Sequence, residues 1–468
     1  MTRAAQARTL ERFARACGGR LQGADRSYVG VSTDTRTLAA GELFVALRGP
    51  NFNGNDFVAA AEKAGAAGAV VDTVQTGVAL PQIVVTDTQA ALQQAAHEWR
   101  MQFAIPVIGV AGSNGKTTVK EMVSAILSQA GECLATRGNL NNHIGVPLTL
   151  LRLTETHRFA VVEMGANHPG ELAALVRTGR PTIGLITNAG AEHLEGFGSL
   201  EGAARAEGEM VEHLEPSATA VINADDPFAP MWRGLTRAKQ VTFGLSAGAD
   251  FTARHVQTEV GAEGFLTRFQ LECPLGTAPI ELRLAGRHNV INALCAAAAA
   301  SAAGVTLEHI VKGLASVQPV KGRLQFRKSR HGAWLIDDSY NANPSSVQAG
   351  IEVLEQLEGR KWLVFGQMGE LGAHSEAAHR EIGTFARAHG IERLFALGED
   401  AKLTVQAFGD GAQWFADASA LSRAVDAALT PDVRVLIKGS RSNRLERVVE
   451  ALGAVPAGGS ATTKSKEG

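Results

Sequence analysis

Apolar runs of four to six residues alternate along the chain with longer segments whose apolar positions recur at helical spacing. This is the pattern of buried parallel strands joined by amphipathic helices. Before residue 104 it predicts strands at 41–47, 69–71 and 83–86, helices at 56–64 and 88–102, and a short amphipathic helix near the start. From 104 to about 320 it predicts strands at 105–110, 159–163, 183–187 and 218–223, and a helix at 117–130. Turn-separated strands follow over 251–284, an antiparallel insert, and then helices at 288–303 and 307–316. From 321 onward strands at 334–337, 362–365, 393–397 and 433–437 alternate with helices at 347–357, 376–389, 418–428 and 444–452. The expectation is an α/β chain of three domains, 1–103, 104–320 and 321–455, the last a doubly wound sheet of about four or five parallel strands. The Gly/Ser/Thr/Lys-rich stretch 456–468 is expected to be a disordered tail.

The pattern changes character once, between the strand at 105–110 and the helix at 117–130. The junction reads Ala111-Gly112-Ser113-Asn114-Gly115-Lys116-Thr117. Glycines there let backbone N–H groups approach phosphate oxygens, and the helix N-terminus adds partial positive charge. Lys116 adds a full charge, and the Thr117 hydroxyl suits Mg²⁺. The glycine usual five residues before Gly115 is missing: Val110 stands there, with Gly109 one place upstream. With the rest of the motif intact, an ATP phosphate site is expected.

Composition narrows the setting. A net charge of −2 over 468 residues gives no electrostatic case for nucleic acid. Cys17, Cys133, Cys273 and Cys295 are scattered without metal spacing, which fits a cytoplasmic protein. The N-terminal segment lacks a signal-peptide core, and the longest apolar run, 293–303, is too short to span a bilayer.

Several polar clusters fall where strands end, which is where parallel α/β sheets bind ligands. Glu163 closes an apolar strand and could hold a hard cation. His193 lies in the loop after the strand at 183–187; a lone His is more often structural, and its case rests on that position. Arg323, in Lys-Gly-Arg at the start of the last domain, could reach a γ-phosphate when domains close. Asp338, Asn341 and Asn343 lie in D-D-S-Y-N-A-N-P, Glu370 in G-Q-M-G-E-L-G, and Lys438 with Arg441 in K-G-S-R. Each ends a strand of one sheet, so a single substrate-receiving rim is expected. Ser32, Thr33, Asp34 and Arg36 form a polar loop in the first domain that is either solvated or a ligand site.

Taken together, these stretches resemble the Mur ligase family, over about residues 28–453. The general family pattern is met by G-S-N-G-K-T-T, Glu163, His193, Asn289 in G-R-H-N-V-I-N-A, Arg323 and Asp338. The stretch holding Asn139 and Asn142, G-N-L-N-N-H-I-G-V-P, with D-D-S-Y-N-A-N-P, M-G-E-L-G and K-G-S-R, resembles the branch that adds a dipeptide. The D-N-P-R stretch of diaminopimelate-adding relatives is absent. The resemblance implies a P-loop-type central domain between a small UDP-substrate domain and a Rossmann-like ligase domain. It implies a monomeric, ATP- and Mg²⁺-dependent ligase joining D-alanyl-D-alanine to UDP-N-acetylmuramoyl-tripeptide through an acyl phosphate. It assigns catalysis to Lys116, His193, Asn289, Arg323 and Asp338, and the metal to Thr117, Glu163 and His193. Substrate contacts fall to Ser32, Thr33, Asp34, Arg36, Asn139, Asn142, Asn341, Asn343, Lys438 and Arg441. Many relatives carry a carbamylated lysine 14 residues after the histidine; here that position is Glu207, expected to support a second Mg²⁺ through water. The readings that compete are another amide ligase of the superfamily, such as a folylpolyglutamate synthase, and a nucleotide switch without a second substrate.

Overall fold

The computed structural model describes residues 7–261, 264–453 and 455–456; the tail expected at 456–468 lies outside them except for Pro456. Three larger sheets organise the chain. The first has five strands in the order Arg20–Gln22, Gln82–Val84, Gly68–Val71, Leu43–Val45 and Val31–Ser32, parallel except at the Arg20–Gln22 edge. Both flanking pieces are too short to show a period, which is why they are invisible as a pattern. The helices Leu10–Ala16 and Thr88–Arg100 begin at side-chain caps, Thr9 and Asp87, whose oxygens accept the first free N–H groups.

The middle sheet is six parallel strands, ordered Lys239–Phe243, Thr219–Asn223, Ile183–Ile186, Val107–Ala111, Phe159–Glu163 and Cys133–Ala135. Every residue of Val107–Ala111 and Phe159–Glu163 is buried, as a central parallel strand covered on both faces requires. Helix Lys116–Leu127 packs beneath helix Arg287–Ala302, whose alanines let the two axes come close. Helix Leu307–Ser316 approaches the same helix so closely at Gly313 that a Cβ there would sit 2.3 Å from Ile126 Cα. The expected insert is a three-stranded antiparallel sheet, Thr252–Gly261, Gly264–Cys273 and Gly276–Leu282.

The last sheet has seven strands: Ala412–Phe415, Arg393–Leu397, Arg360–Gly366, Val433–Lys438 and Trp334–Asp338 run parallel, and Gln325–Lys328 and Val455–Pro456 close one edge antiparallel. Five parallel strands meet the expectation, and the antiparallel edge exceeds it.

The cores do not divide as the sheets do. The first sheet's helices and one face of the middle sheet share one continuous apolar core, from Leu10, Phe13 and Trp99 to Val107, Leu150, Val176 and Trp232. Arg100, buried at this junction and held by Gly179 and Arg180 carbonyls, has its pKa lowered to about 10 by burial and by Arg180. The last sheet has its own cores on its two faces, with Leu194, Phe265 and Ala285 joining one of them. The four cysteines are free, and no described helix is long and apolar enough to cross a membrane.

Candidate active site

The strand Val107–Ala111 delivers the phosphate loop between neighbours on both sides. Two glycines make the loop possible. Gly112 has φ of +120°, and a Cβ there would lie 2.1 Å from Thr187 Oγ1; Gly115, at φ +84°, precedes the helix. The next strand's end braces the loop. Thr187 Oγ1 donates to Asn114 O at 2.6 Å, Asn114 N donates to Asn188 Oδ1 at 3.0 Å, and Gly190 N donates to Ser113 Oγ at 2.8 Å.

Lys116 folds back over this loop. Its Nζ donates to Gly112 O at 2.6 Å and Ser113 O at 3.0 Å, and pairs with Glu192 Oε2 at 3.3 Å. Burial works against its charge, but Glu192, Glu207 and Glu163 outweigh that and raise its pKa. Glu207 lies behind the loop, where its Oε2 accepts the Gly112 N–H at 2.7 Å. Burial pushes its carboxyl up to about 7; Lys116 opposes that and Glu192 adds to it.

Glu163 is 3% exposed. Its Oε1 accepts from Asn141 Nδ2 at 3.0 Å and from Thr117 Oγ1 at 3.4 Å, while its Oε2 is buried without a hydrogen-bond partner. The Glu163 carboxylate and the Thr117 hydroxyl, side by side through Oε1 and lining one cavity, form a donor pair that fits a divalent cation. Among the described residues no group of three His, Cys, Asp or Glu side chains is arranged for a metal. A cation here would therefore depend on one carboxylate, one hydroxyl, water and phosphate oxygens, a set that suits Mg²⁺.

The last sheet meets this loop directly. Arg323 Nη2 donates to Thr117 Oγ1 at 3.2 Å, and its guanidinium stacks on Tyr340 at 4.5 Å. Asn343 caps helix Pro344–Glu355 in a capping box with Ser346, and its Nδ2 also donates to Asn114 Oδ1 at 2.8 Å. Asn114 in turn donates to Ser345 Oγ at 3.1 Å. His193 Nδ1 pairs with Glu370, and its Nε2 stands 3.6 Å from Glu192 Oε1. Both His193 and Glu370 hold left-handed backbone, φ +52° and +63°, uncommon for residues with a side chain and concentrated at working sites.

Two cavities flank the loop. The one of about 340 Å³ is lined by His288, Asn289, Asn292, Val317 and Gly350 among others. The one of about 320 Å³ is lined by Lys116, Thr117, Asn139, Asn142, Glu163, His193 and Asn341 among others. Asn114, Gly115, Arg323, Asp338, Ser346 and Lys438 line both, so the two form one cleft on either side of the phosphate loop. Lys438 is not free in it: its Nζ donates to Asp338 Oδ2 at 2.6 Å and Asn341 O at 3.0 Å. Asn289 holds Ala285 O at 2.7 Å and receives Asn292 Nδ2 at 3.1 Å. His288 beside it is pushed down to about 4 by burial, with Asp338 opposing and Lys438 reinforcing.

Some of the residues singled out by sequence lie elsewhere. Ser32, Thr33, Asp34 and Arg36 line neither cavity; Arg36 pairs with Asp34 at 2.6 Å on the first sheet's surface, and that partner pulls the Asp34 carboxyl down to about 2. Arg441 is exposed, 3.3 Å from Glu446 and 5.8 Å over Tyr340. Glu207 lines neither cavity, and no hydrogen bond or ion pair joins it to His193. Residues missed from sequence are Asn141, Glu192, His288 and Lys120. Glu192 lies in the loop that holds His193, Asn141 in the G-N-L-N-N-H stretch, His288 at the start of the predicted helix 288–303 and Lys120 within that at 117–130, but nothing in the pattern tells which side chain turns inward.

Comparison with known proteins identifies the family. The chain matches the Mur ligase family, catalytic domain, over 27–100, the Mur ligase middle domain over 110–300, and the Mur ligase, glutamate ligase domain, over 322–441. UDP-N-acetylmuramoyl-tripeptide–D-alanyl-D-alanine ligase of Escherichia coli (strain K12) is 44% identical over 448 residues, covering 95% of this chain and 98% of that protein. A crystal structure of MurF from Acinetobacter baumannii superposes with a TM-score of 0.88 at 34% identity, over 96% of this chain and 99% of that one. MurF ligase from Thermotoga maritima in complex with ADP gives 0.81 at 27% identity, over 90% and 96%. The chain belongs to the Mur ligase family. It is an ATP-dependent ligase, and the competing switch reading falls away.

Proposed function

We propose that this ligase joins D-alanyl-D-alanine to UDP-N-acetylmuramoyl-tripeptide in peptidoglycan precursor synthesis, converting ATP to ADP and phosphate. The activity is that named for the Escherichia coli relative. The observation that carries the reading is the Arg323–Thr117 contact, which sets a cation of the last sheet on the phosphate loop of the middle one. Phosphoryl transfer needs chiefly positioning and charge neutralisation, and the cleft supplies both.

The tripeptide's terminal carboxylate attacks the γ-phosphorus of ATP, giving an acyl phosphate and ADP. The dipeptide's amine then attacks the acyl carbon, and phosphate leaves. Lys116 exchanges its loop carbonyls for β- and γ-phosphate oxygens, and Arg323 steadies the transferring group from the opposite wall. Thr117 and Glu163 would hold Mg²⁺, which neutralises phosphate charge when bound. A second cation would fall to His193 and, through water, Glu207. Asp338, fixed by Lys438 and the Leu324 N–H, lines both halves of the cleft, and Asn289 the larger half, where they would meet the nucleotide. Asn341, Asn343 and the Lys438–Arg441 turn face the incoming dipeptide, Asn139 and Asn142 the peptide acceptor, and Ser32, Thr33, Asp34 and Arg36 its uridine nucleotide. All come from one chain, which suits a monomer. Contacts across the cleft close it over the acyl phosphate and keep water away.

Phosphate release with UDP-N-acetylmuramoyl-tripeptide, measured with and without D-alanyl-D-alanine, tests the reading. Sustained release is expected only with both substrates; steady release that ignores the dipeptide would sink it. The Glu207 role is read by titrating Mg²⁺ in CO₂-depleted buffer: Glu207→Ala should need more Mg²⁺, and bicarbonate should change nothing in the native enzyme. Coincident curves would remove Glu207 from the metal's surroundings.

A further inference from the structure

Helix Lys116–Leu127 carries a second lysine one turn beyond Lys116. Lys120 is 1% exposed and lines neither cavity, so it does not touch phosphate. Its Nζ donates to Thr136 O at 3.1 Å, pairs with Glu121 Oε1 at 2.8 Å, and stands 4.0 Å from Glu163 Oε2. That last atom is the carboxylate oxygen without a hydrogen-bond partner. Thr136 frames the same residue from the other side, its hydroxyl accepting the Glu163 N–H at 3.0 Å. A lysine is seldom buried so completely unless its charge is balanced by a partner. Here the partners are Glu121 and the carboxylate assigned above to a divalent cation.

Two cations that share one carboxylate repel each other, and burial strengthens the repulsion. Lys116 can leave its loop carbonyls for a phosphate. Lys120, enclosed and tied to Thr136 and Glu121, stays beside Glu163 whether or not a nucleotide is present. We propose that Lys120 is a fixed internal counterion of Glu163, a positioning residue that holds this carboxylate in the empty cleft and makes divalent-cation binding there conditional on nucleotide phosphates. The inference rests on Glu163 being the cation's ligand. Its consequence is that the metal enters with the nucleotide and leaves with the product, instead of residing in the free enzyme.

Lys120→Gln removes the charge and keeps a donor for Thr136 O. Mn²⁺ binding to the nucleotide-free protein, followed by electron paramagnetic resonance, should be about tenfold tighter than in the native chain. Lys120→Arg should bind as the native chain does. Loss of a merely structural lysine does not create metal affinity, so equal or weaker binding by Lys120→Gln overturns the proposal. Adding Glu163→Gln to Lys120→Gln should abolish the gain; a gain that persists places the cation elsewhere and overturns the proposal as well. Glu163→Gln alone, measured with ADP present, tests the parent reading separately: unchanged Mn²⁺ affinity there removes Glu163 as ligand. Should Lys120→Gln fail to fold without metal, its melting curve is read against Mn²⁺. Recovery of a cooperative transition by Mn²⁺, but not by NaCl of equal ionic strength, is the expected result, and no recovery overturns the idea.

Discussion

The two walls of the cleft are built by different means. The phosphate-loop wall is backbone: Gly112 and Gly115 take positive φ, and the loop hangs from Thr187, Asn188 and Gly190 by short hydrogen bonds. The facing wall is side chain: Arg323, Asp338, Asn343 and Lys438 meet the loop, the larger cavity or one another through amide, carboxylate and cationic groups. A backbone site is set once the chain folds, whereas a side-chain site depends on how two sheets are placed. The first wall should therefore respond to substitution by losing chemistry, and the second by losing alignment.

Lys116→Ala is the severest way to sharpen that contrast. It should cut turnover by about 10²–10³ or more in a chain that still folds; near-native ligation would remove the loop from the chemistry. Arg323→Ala should lower kcat by about a hundredfold through misalignment, with a smaller change in ADP affinity. An equal loss in both would make Arg323 a plain nucleotide anchor and blur the distinction between the walls.

Glu207 tests the backbone wall by pH. Its carboxyl binds a proton more tightly in the folded chain, with a pKa of about 7 against an ordinary 4.5. Its protonation therefore favours the fold: the ionisation cost is absent below about pH 4.5 and complete above about pH 7. Relative to Glu207→Gln, the native chain should lose stability across that window, by at most about 3 kcal/mol. Parallel stability curves for the two forms would contradict the shift. The smallest effect is expected at the rim, where Arg441→Ala should raise the KM for D-alanyl-D-alanine about tenfold and leave that for ATP alone. A rise confined to ATP would move Arg441 to the nucleotide side.

The same contrast decides what could be read from sequence. The loop, the strand Phe159–Glu163 and the helices Leu307–Ser316 and Ala418–Ala428 follow from periodicity and small-residue spacing, because local sequence alone dictates them. The strand ends of the last sheet are legible as polar clusters. Their pairing is not: that Lys438 is spent on Asp338, or that Asn343 caps a helix and also holds Asn114, depends on contacts between residues more than 95 positions apart. Strands as short as Arg20–Gln22, Val31–Ser32 or Ala412–Phe415 are too brief to show a period. Nor does spacing tell a buried lysine such as Lys120 from an exposed one.

The shared core under the first two sheets bears on how the molecule comes apart when heated. By sheets the chain has three large parts, but by dry contact it has two. Helix Thr88–Arg100 is fused to the middle sheet by Leu92, Ala95, Trp99 and a buried guanidinium, so no seam there can open without exposing apolar surface. The last sheet meets the middle one across the cleft, with few apolar residues crossing, Leu194, Phe265 and Ala285 among them. A calorimeter should record two cooperative units instead of three. On the proposed site, nucleotide binding between those units should add to their coupling and draw the two transitions toward one.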